Sequence, residues 1–467
     1  MRLFTSLLLV VLGLSSPAFS AGFDGASASL LWVIPFAGIL LSIAIFPLVA
    51  VNIWHHHFGK ITALWCLGFM IPFLFTFGFT ELSHVVAHAV LLEYIPFMVL
   101  IFALFTVSGG IYLEGSLKGT PQLNAMILLI GTFLASFMGT TGAAMLLIRP
   151  LLRANENRKN RVHIVIFFIF LVANIGGSLT PLGDPPLFLG FLKGVDFFWT
   201  MKHMFMPLII TTAIVLVIFF VIDSYYYKKE GHLVTATTEA KVPFSIQGKF
   251  NFLFLVGIIV GVLISGFWKS GVEFTILGTP IELQNIVRDI ILLAMAFISL
   301  KVTSAEIHKK NEFGWDPVLE VAKLFAGIFI TIAPVLAILK AGADGSMSGI
   351  VNMVHDTNGA PIDSMYFWMT GALSAFLDNA PTYLVFFNLA SGDAHHLMTD
   401  LSPTLLAISM GSVFMGAVTY IGNAPNFMVK SIATQAGVNM PTFFGYMKWS
   451  VIVLVPVYVL LTVIFFM

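Results

Sequence analysis

The chain has 467 residues, of which 58% are hydrophobic and 10% are charged, with a formal net charge of +0. Soluble domains carry about 25% charged residues, so this composition excludes an ordinary soluble enzyme and predicts a protein embedded in a lipid bilayer. The zero net charge gives no reason to expect a nucleic-acid partner. The one cysteine, Cys66, excludes an internal disulfide and a cysteine-based metal cluster. The sequence has no GxxxxGK[ST] phosphate-binding loop, so transport coupled directly to ATP hydrolysis is not expected. No cofactor is predicted.

The first twenty residues have the features of a secretory signal peptide. Arg2 supplies a positive charge, residues 3–14 form an apolar core, and residues 18–20 form a small-residue cleavage site. An uncleaved first helix is the alternative. If cleavage occurs, the mature chain begins on the periplasmic side of a bacterial inner membrane, and basic loops such as residues 149–161 face the cytoplasm.

Apolar stretches of about twenty residues recur along the rest of the chain, as a hydrocarbon core about 30 Å thick requires. They predict an all-α polytopic membrane protein with two halves, residues 21–227 and 250–467, joined by a polar cytoplasmic linker at 228–249. In the first half we predict spans at 30–51, 61–79, 95–113 and 205–226, a re-entrant helical hairpin at 121–153 and a broken transmembrane helix at 162–190. In the second half we predict spans at 250–267, 286–300, 318–339 and 443–466, a hairpin at 364–390 and a broken helix at 404–434.

The first broken helix contains residues 172–190, which read VANIGGSLTPLGDPPLFLG. Proline lacks a backbone N–H and clashes with the preceding turn, so a helix cannot continue through this segment. Broken backbone at membrane depth is tolerated only where it is buried in protein or lines a wet cavity. Placing the ionisable side chain of Asp184 at membrane depth costs free energy, so Asp184 is a candidate functional residue. The alternative is that Asp184 is a turn residue in a solvated loop. The predicted structural breaks are Gly176, Gly177, Gly183, Pro185 and Pro186.

Residues 413–430, which read VFMGAVTYIGNAPNFMVK, resemble this segment at an offset of 239 positions. The alignment pairs Thr180 with Thr419 and Asp184 with Asn423, and it predicts further breaks at Gly422 and Pro425. Upstream, ASFMGTTGAAMLL matches SAFLDNAPTYLVF at the same offset. Two matches at one offset predict that a hairpin and a broken helix form a unit used twice, in opposite orientations because five spans separate the hairpins. Inverted repeats with broken helices are typical of secondary transporters.

These segments predict one polar site near the middle of the membrane. Each half contributes one carboxylate, Asp184 in the first break and Asp378 at the second hairpin tip, and both are predicted ligands of a transported sodium ion. The neighbouring amides and hydroxyls are those of Asn174, Asn379, Asn423, Ser178, Thr140, Thr141, Thr180 and Thr419. Such oxygen atoms suit a hard cation. Burial disfavours a charged carboxylate and a bound cation favours it, so one site could exchange a proton for a cation. For Asp378 the alternative is a helix N-cap.

The two breaks and the hairpin pair resemble those of the ion-transporter superfamily, which includes NhaD-type sodium/proton antiporters, citrate and dicarboxylate carriers, and arsenite permeases. The resemblance extends over essentially the whole chain after the signal peptide. It implies two scaffold bundles, two transport modules, a homodimer and elevator-like alternating access. Carriers of di- and tricarboxylates in this group have Ser-Asn-Thr motifs at the hairpin tips, whereas the tips here begin with Gly139-Thr140 and Asp378-Asn379. Antiporters of the group tend to have acids in the hairpin, and the first tip here has none.

The leading hypothesis is a Na⁺ or Li⁺/proton antiporter with no enzymatic activity. Two intramembrane carboxylates with no basic partner in their motifs repel a multiply charged anion and attract a cation. Because bridging sodium ions could cancel that repulsion, a sodium- or proton-coupled citrate or dicarboxylate transporter is the alternative, followed by efflux of arsenite or another anion. A remote alternative is an intramembrane aspartyl protease, which also needs two membrane aspartates.

Overall fold

The computed structural model describes residues 23–231 and 243–467. The predicted signal peptide, residues 1–20, lies outside these residues, as does the middle of the predicted linker. Within the described residues, eight helices are long and apolar enough to cross a membrane. The predicted class, an all-helical multi-pass membrane protein, is confirmed.

Helices account for most of the described chain. In the first half they are α1 (Ile34–Val49), α2 (Val51–His88), α3 (Ile95–Gly109), α4 (Pro121–Met138), α5 (Thr140–Ala154), α6 (Val162–Leu171), α7 (Pro185–Leu192) and α8 (Phe197–Lys229). In the second half they are α9 (Phe250–Phe267), α10 (Leu283–Val302), α11 (Ala305–Lys310), α12 (Asp316–Lys340), α13 (Ser348–Val354), α14 (Asp363–Phe376), α15 (Asn379–Ala390), α16 (Ala394–Met398), α17 (Ser402–Met415), α18 (Ala424–Gln435) and α19 (Phe443–Phe465). Two antiparallel strand pairs join β1 (Tyr112–Glu114) to β2 (Ser245–Gln247) and β3 (Glu273–Ile276) to β4 (Thr279–Glu282).

The region between the second and third predicted spans differs from the expected loop. Helix α2 continues to His88, and a π-helical turn at Ala89–Tyr94 leads directly into α3. Gly78 interrupts α2 with φ 86° and ψ 170°, a conformation that glycine adopts without the steric cost of a side chain. The chain therefore changes direction at Gly78 while the segments on both sides stay helical.

The helices pack in two groups, which we call the scaffold and the modules, where a module is a hairpin together with the broken helix of the same half. Helices α1, α2, α3, α9, α10 and α12 pack mainly on one another. In the modules, the second helix of each hairpin packs on the helix that follows the break of the other half, α5 on α18 and α15 on α7. At the second of these contacts, a Cβ on Gly190 would lie 2.3 Å from the Tyr383 hydroxyl, so the absence of a side chain permits the close approach. Because each hairpin packs on the broken helix of the other half, both breaks and both hairpin tips lie close together.

In each broken helix, the backbone after the break lies close to the backbone before it, and the two halves do this in a similar way. A short 3₁₀ turn, Ile175–Ser178 in the first half and Gly416–Val418 in the second, follows the first helical part. A Cβ on Gly183 would lie 2.2 Å from the Gly177 carbonyl oxygen, and one on Gly422 would lie 2.6 Å from the Gly416 carbonyl oxygen. Both contacts leave no room for a side chain, which accounts for glycine at Gly183 and Gly422.

Candidate functional site

Asp184 lies at the centre of the contact between the halves and is 2% exposed. Its Oδ1 accepts hydrogen bonds from Thr140 Oγ1 at 3.0 Å and from Asn423 Nδ2 at 3.0 Å. Its Oδ2 accepts from Asn379 Nδ2. The first hairpin tip, the second hairpin tip and the second break thus each contribute one donor to a single carboxylate. This burial contradicts the alternative of a solvated turn residue.

Asp378 occupies the N-cap position of α15, as the alternative interpretation predicts. Its backbone is extended, with φ −142° and ψ 140°, and its side chain accepts a hydrogen bond from the Ala380 N–H at 3.0 Å. It is half-buried and within electrostatic range of Asp184. Because a carboxylate has about four acceptor positions, an N-cap bond leaves Asp378 able to bind a cation as well.

The hydroxyls of Thr180 and Thr419 hold each hairpin to the broken helix of its own half. Thr180 Oγ1 donates to the Ser136 carbonyl oxygen and accepts from the Leu182 N–H at 3.1 Å. Thr419 Oγ1 makes the equivalent bonds, donating to the Ala375 carbonyl oxygen and accepting from the Ile421 N–H at 3.2 Å. It also accepts from the Gly422 N–H at 3.1 Å. Neither threonine is among the residues that line the cavity described below.

Asn174 and Ser178 lie fully buried behind the site. Asn174 Nδ2 donates to the Ile169 carbonyl oxygen at 2.8 Å and to Asn426 Oδ1 at 2.7 Å. Within the described part of the chain, Asn174 Oδ1 and Ser178 Oγ have no hydrogen-bond partner. Asn426, which the sequence analysis did not single out, joins the two breaks because it also donates to the Gly416 carbonyl oxygen at 2.8 Å. Its position aligns with Leu187 in the first half, so the repeat gave no signal for it.

A cavity of about 390 Å³ reaches the site from one side. The site residues that line it are Gly139, Thr140, Thr141, Gly183, Asp184, Pro185, Asp378, Asn379, Asn423 and Pro425. Two further acids, Asp316 and Glu320, lie one helical turn apart at the start of α12 and also line the cavity. Among the described residues that line it, four are carboxylic acids and none is lysine, arginine or histidine.

This donor set consists of oxygen atoms and suits a small hard cation as cargo. Among the described residues, no group of three or more histidine, cysteine, aspartate or glutamate side chains could hold a metal ion. Asn379 and Asn423 donate to Asp184 through their amide nitrogens, and their side-chain carbonyl oxygens are further acceptor atoms at the site. The charges of the buried Asp184 and the half-buried Asp378 can therefore be neutralised either by protonation or by a bound cation.

The sequence of the chain matches a family model described as "Putative citrate transport" over residues 25–466. The chain belongs to this family. Two curated relatives, both named as uncharacterized transporters, come from Mycobacterium bovis and Mycobacterium tuberculosis. Each is 22% identical over 326 residues, covering 68% of this chain and 71% of the relative. Membership of a transport family agrees with a membrane protein whose central site is a cavity.

Proposed function

We propose that the protein is a Na⁺ or Li⁺/proton antiporter of the bacterial inner membrane that works by alternating access. The observation that carries this proposal is the charge of the cavity, which has four carboxylic acids and no basic side chain among its described lining residues. Lys430 does not line the cavity, but its ammonium lies 4.6 Å from the centroid of the Tyr420 ring and 5.5 Å from that of the Phe427 ring, and both rings do line it. Resemblance to the ion-transporter superfamily adds a homodimer and an elevator-like movement to the proposal.

Exchange at one site follows from competition for the two central carboxylates. Three of the roughly four acceptor positions of Asp184 are filled by Thr140, Asn379 and Asn423, which leaves a position on Oδ2. Asp378 has one hydrogen bond and open acceptor positions. A cation between these carboxylates is stabilised by both charges, whereas a proton on either one removes that attraction. Binding of one species therefore releases the other.

A sodium- or proton-coupled citrate or dicarboxylate transporter is the second candidate, and the description of the family favours it. Electrostatic repulsion opposes this function, because a citrate carboxylate would face Asp184 and Asp378, and the described lining residues of the cavity include no basic side chain. This function requires bound cations to reverse the charge of the site before the anion enters. Citrate uptake would then depend steeply on sodium or proton concentration.

An intramembrane aspartyl protease receives little support. Such an enzyme needs two carboxylates that share an attacking water, but Asp184 is held by three side-chain donors and Asp378 caps a helix. Membership of a transport family also favours movement of a solute over cleavage of a peptide bond.

The experiment that tests the proposal is proton exchange in everted vesicles loaded with a pH-sensitive dye. Added Na⁺ or Li⁺ should release protons from the wild-type vesicles, and Asp184→Asn or Asp378→Asn should abolish this response. Asp344→Asn, which changes an exposed acid in an outer 3₁₀ turn, is the matched control and should respond normally. If no cation produces proton movement but labelled citrate accumulates, the citrate transporter replaces the antiporter.

A further inference from the structure

The walls of the cavity contain much more apolar surface than a site for an inorganic ion needs. Its volume of about 390 Å³ falls in the range of pockets for small organic molecules, roughly 300–1,000 Å³. Most of the lining side chains are apolar, and polar groups are confined to the site and to Asp316 and Glu320. A hydrated sodium ion gains nothing from such walls, whereas an organic molecule would bury apolar surface against them.

Seven of the lining side chains are aromatic. They are Trp54, Phe97, Phe105, Phe188, Phe325, Tyr420 and Phe427. They come from the scaffold and from both modules, so aromatic rings lie on several sides of the cavity. Six are almost fully buried by their neighbours, so the open ring at the cavity is that of Phe427, which is 41% exposed. The Lys430 ammonium lies 5.5 Å from the centroid of this ring, so Phe427 already contacts a cation. The faces of aromatic rings attract cations, and quaternary ammonium groups are recognised by rings together with acids.

We infer that this cavity binds an organic monocation with an apolar body, in addition to the inorganic cation. The aromatic and aliphatic walls would contact the apolar body, and the positive group would lie near the carboxylates at the site or at Asp316 and Glu320. An organic anion of the same shape would meet the same walls but would be repelled by four acids. The inference rests on the proposed cation site, because Na⁺ and the organic cation would compete for the same carboxylates.

Calorimetric titration of the purified full-length protein tests this inference, with benzyltrimethylammonium as the probe. The probe should bind, and added Na⁺ should weaken its binding. Tetramethylammonium, which lacks the ring, should bind more weakly, and 4-tert-butylbenzoate, an anion with a similar apolar body, should not bind. Phe427→Leu and Glu320→Gln should each reduce the affinity for the probe by about threefold to tenfold.

Two variants outside the cavity provide matched controls. Phe444→Leu changes a phenylalanine that is 76% exposed and does not line the cavity, and Glu156→Gln changes an exposed acid on the loop after α5. Both should bind the probe as the wild type does. The inference is overturned if the probe fails to bind a protein that still exchanges Na⁺ for protons, if the benzoate binds equally well, or if neither cavity variant lowers the affinity. If the probe binds as expected but vesicles show no Na⁺-dependent proton release, the inference stands and the antiporter proposal fails.

Discussion

At the scale of single residues, the hydroxyl of Thr140 has the clearest role at the site. It donates a 3.0 Å hydrogen bond to Asp184 Oδ1 from the first hairpin tip, where the sequence has no acid. Hydrogen bonds to charged groups contribute about 1.5–3 kcal/mol. Thr140→Val keeps the shape of the side chain but removes the donor, so the charged form of Asp184 loses stabilisation and protonation becomes more favourable. We expect the apparent affinity for Na⁺ to fall by about tenfold at neutral pH, measured by dye response in everted vesicles, with a smaller loss at higher pH.

Thr212→Val is the control for this substitution. Thr212 Oγ1 is buried on α8 and, within the described residues, has no hydrogen-bond partner. Its removal should leave the apparent affinity for Na⁺ unchanged and should not lower stability. An unchanged affinity in Thr140→Val would show that this hydroxyl does not influence the charge of Asp184 during exchange.

At the scale of elements, the two hairpins are held to the two broken helices by equivalent hydrogen bonds. Thr180 and Thr419, which lie 239 positions apart in the sequence, each donate to a backbone carbonyl of their own hairpin. Thr180→Val would leave a buried carbonyl and the buried Leu182 N–H without this partner, and Thr419→Val would leave a buried carbonyl and the buried Gly422 N–H without it. Each group left without a partner costs about 1–3 kcal/mol. We expect both variants to lower the midpoint of thermal unfolding in detergent by similar amounts.

The matched control for these two variants is Thr434→Val. Thr434 makes its hydroxyl bond to the Lys430 carbonyl oxygen at an exposed position of α18, where water can replace it. Its unfolding midpoint should stay close to that of the wild type. A large difference between Thr180→Val and Thr419→Val would contradict the idea that the two hairpin contacts are equivalent.

The sequence revealed those elements whose backbone chemistry is unusual. Glycine and proline marked both breaks, and the repeat located Asp184 and Asn423, which the structure joins by a hydrogen bond. The repeat could not reveal Asn426, because its equivalent in the first half is Leu187, and it could not reveal the acids at the start of α12, because they lie outside the repeated segments. The continuous helical path after Gly78 was missed for a similar reason, since an apolar profile does not distinguish a loop from a π-helical turn.

At the scale of the whole molecule, the cavity is open on one face and the opposite face is held by an ion pair. The acids at the cavity mouth, Asp316 and Glu320, follow closely after α11 and its lysines, and Glu312 in the same loop pairs with Arg149 at 2.8 Å. Because basic loops predict the cytoplasmic face, we expect the cavity to open inward, which would make this an inward-open state. On the other face, Lys193 at the end of α7 pairs with Glu93 in the π-helical turn next to α3, and Glu93 is 5% exposed. This pair joins the module that contains α7 to the scaffold.

Loss of the Lys193–Glu93 pair should therefore shift the protein away from the inward-open state. Lys193→Met keeps the length of the side chain but leaves a buried acid without its partner, which typically costs about 3–5 kcal/mol. Any state in which α7 moves away and Glu93 reaches water would gain relative to this one. We expect Ser431→Cys, at a cavity-lining position, to react with an impermeant maleimide faster in everted than in right-side-out vesicles, in a Cys66→Ser background. Adding Lys193→Met should slow that reaction several-fold.

The control for the shift is Lys202→Met, which removes an exposed lysine one helical turn into α8 that makes no ion pair within the described residues. It should leave the labelling rate of Ser431→Cys unchanged. Equal rates in everted and right-side-out vesicles would contradict the assigned orientation of the cavity. If the everted vesicles react faster but Lys193→Met has no effect, the ion pair does not contribute to the balance between states.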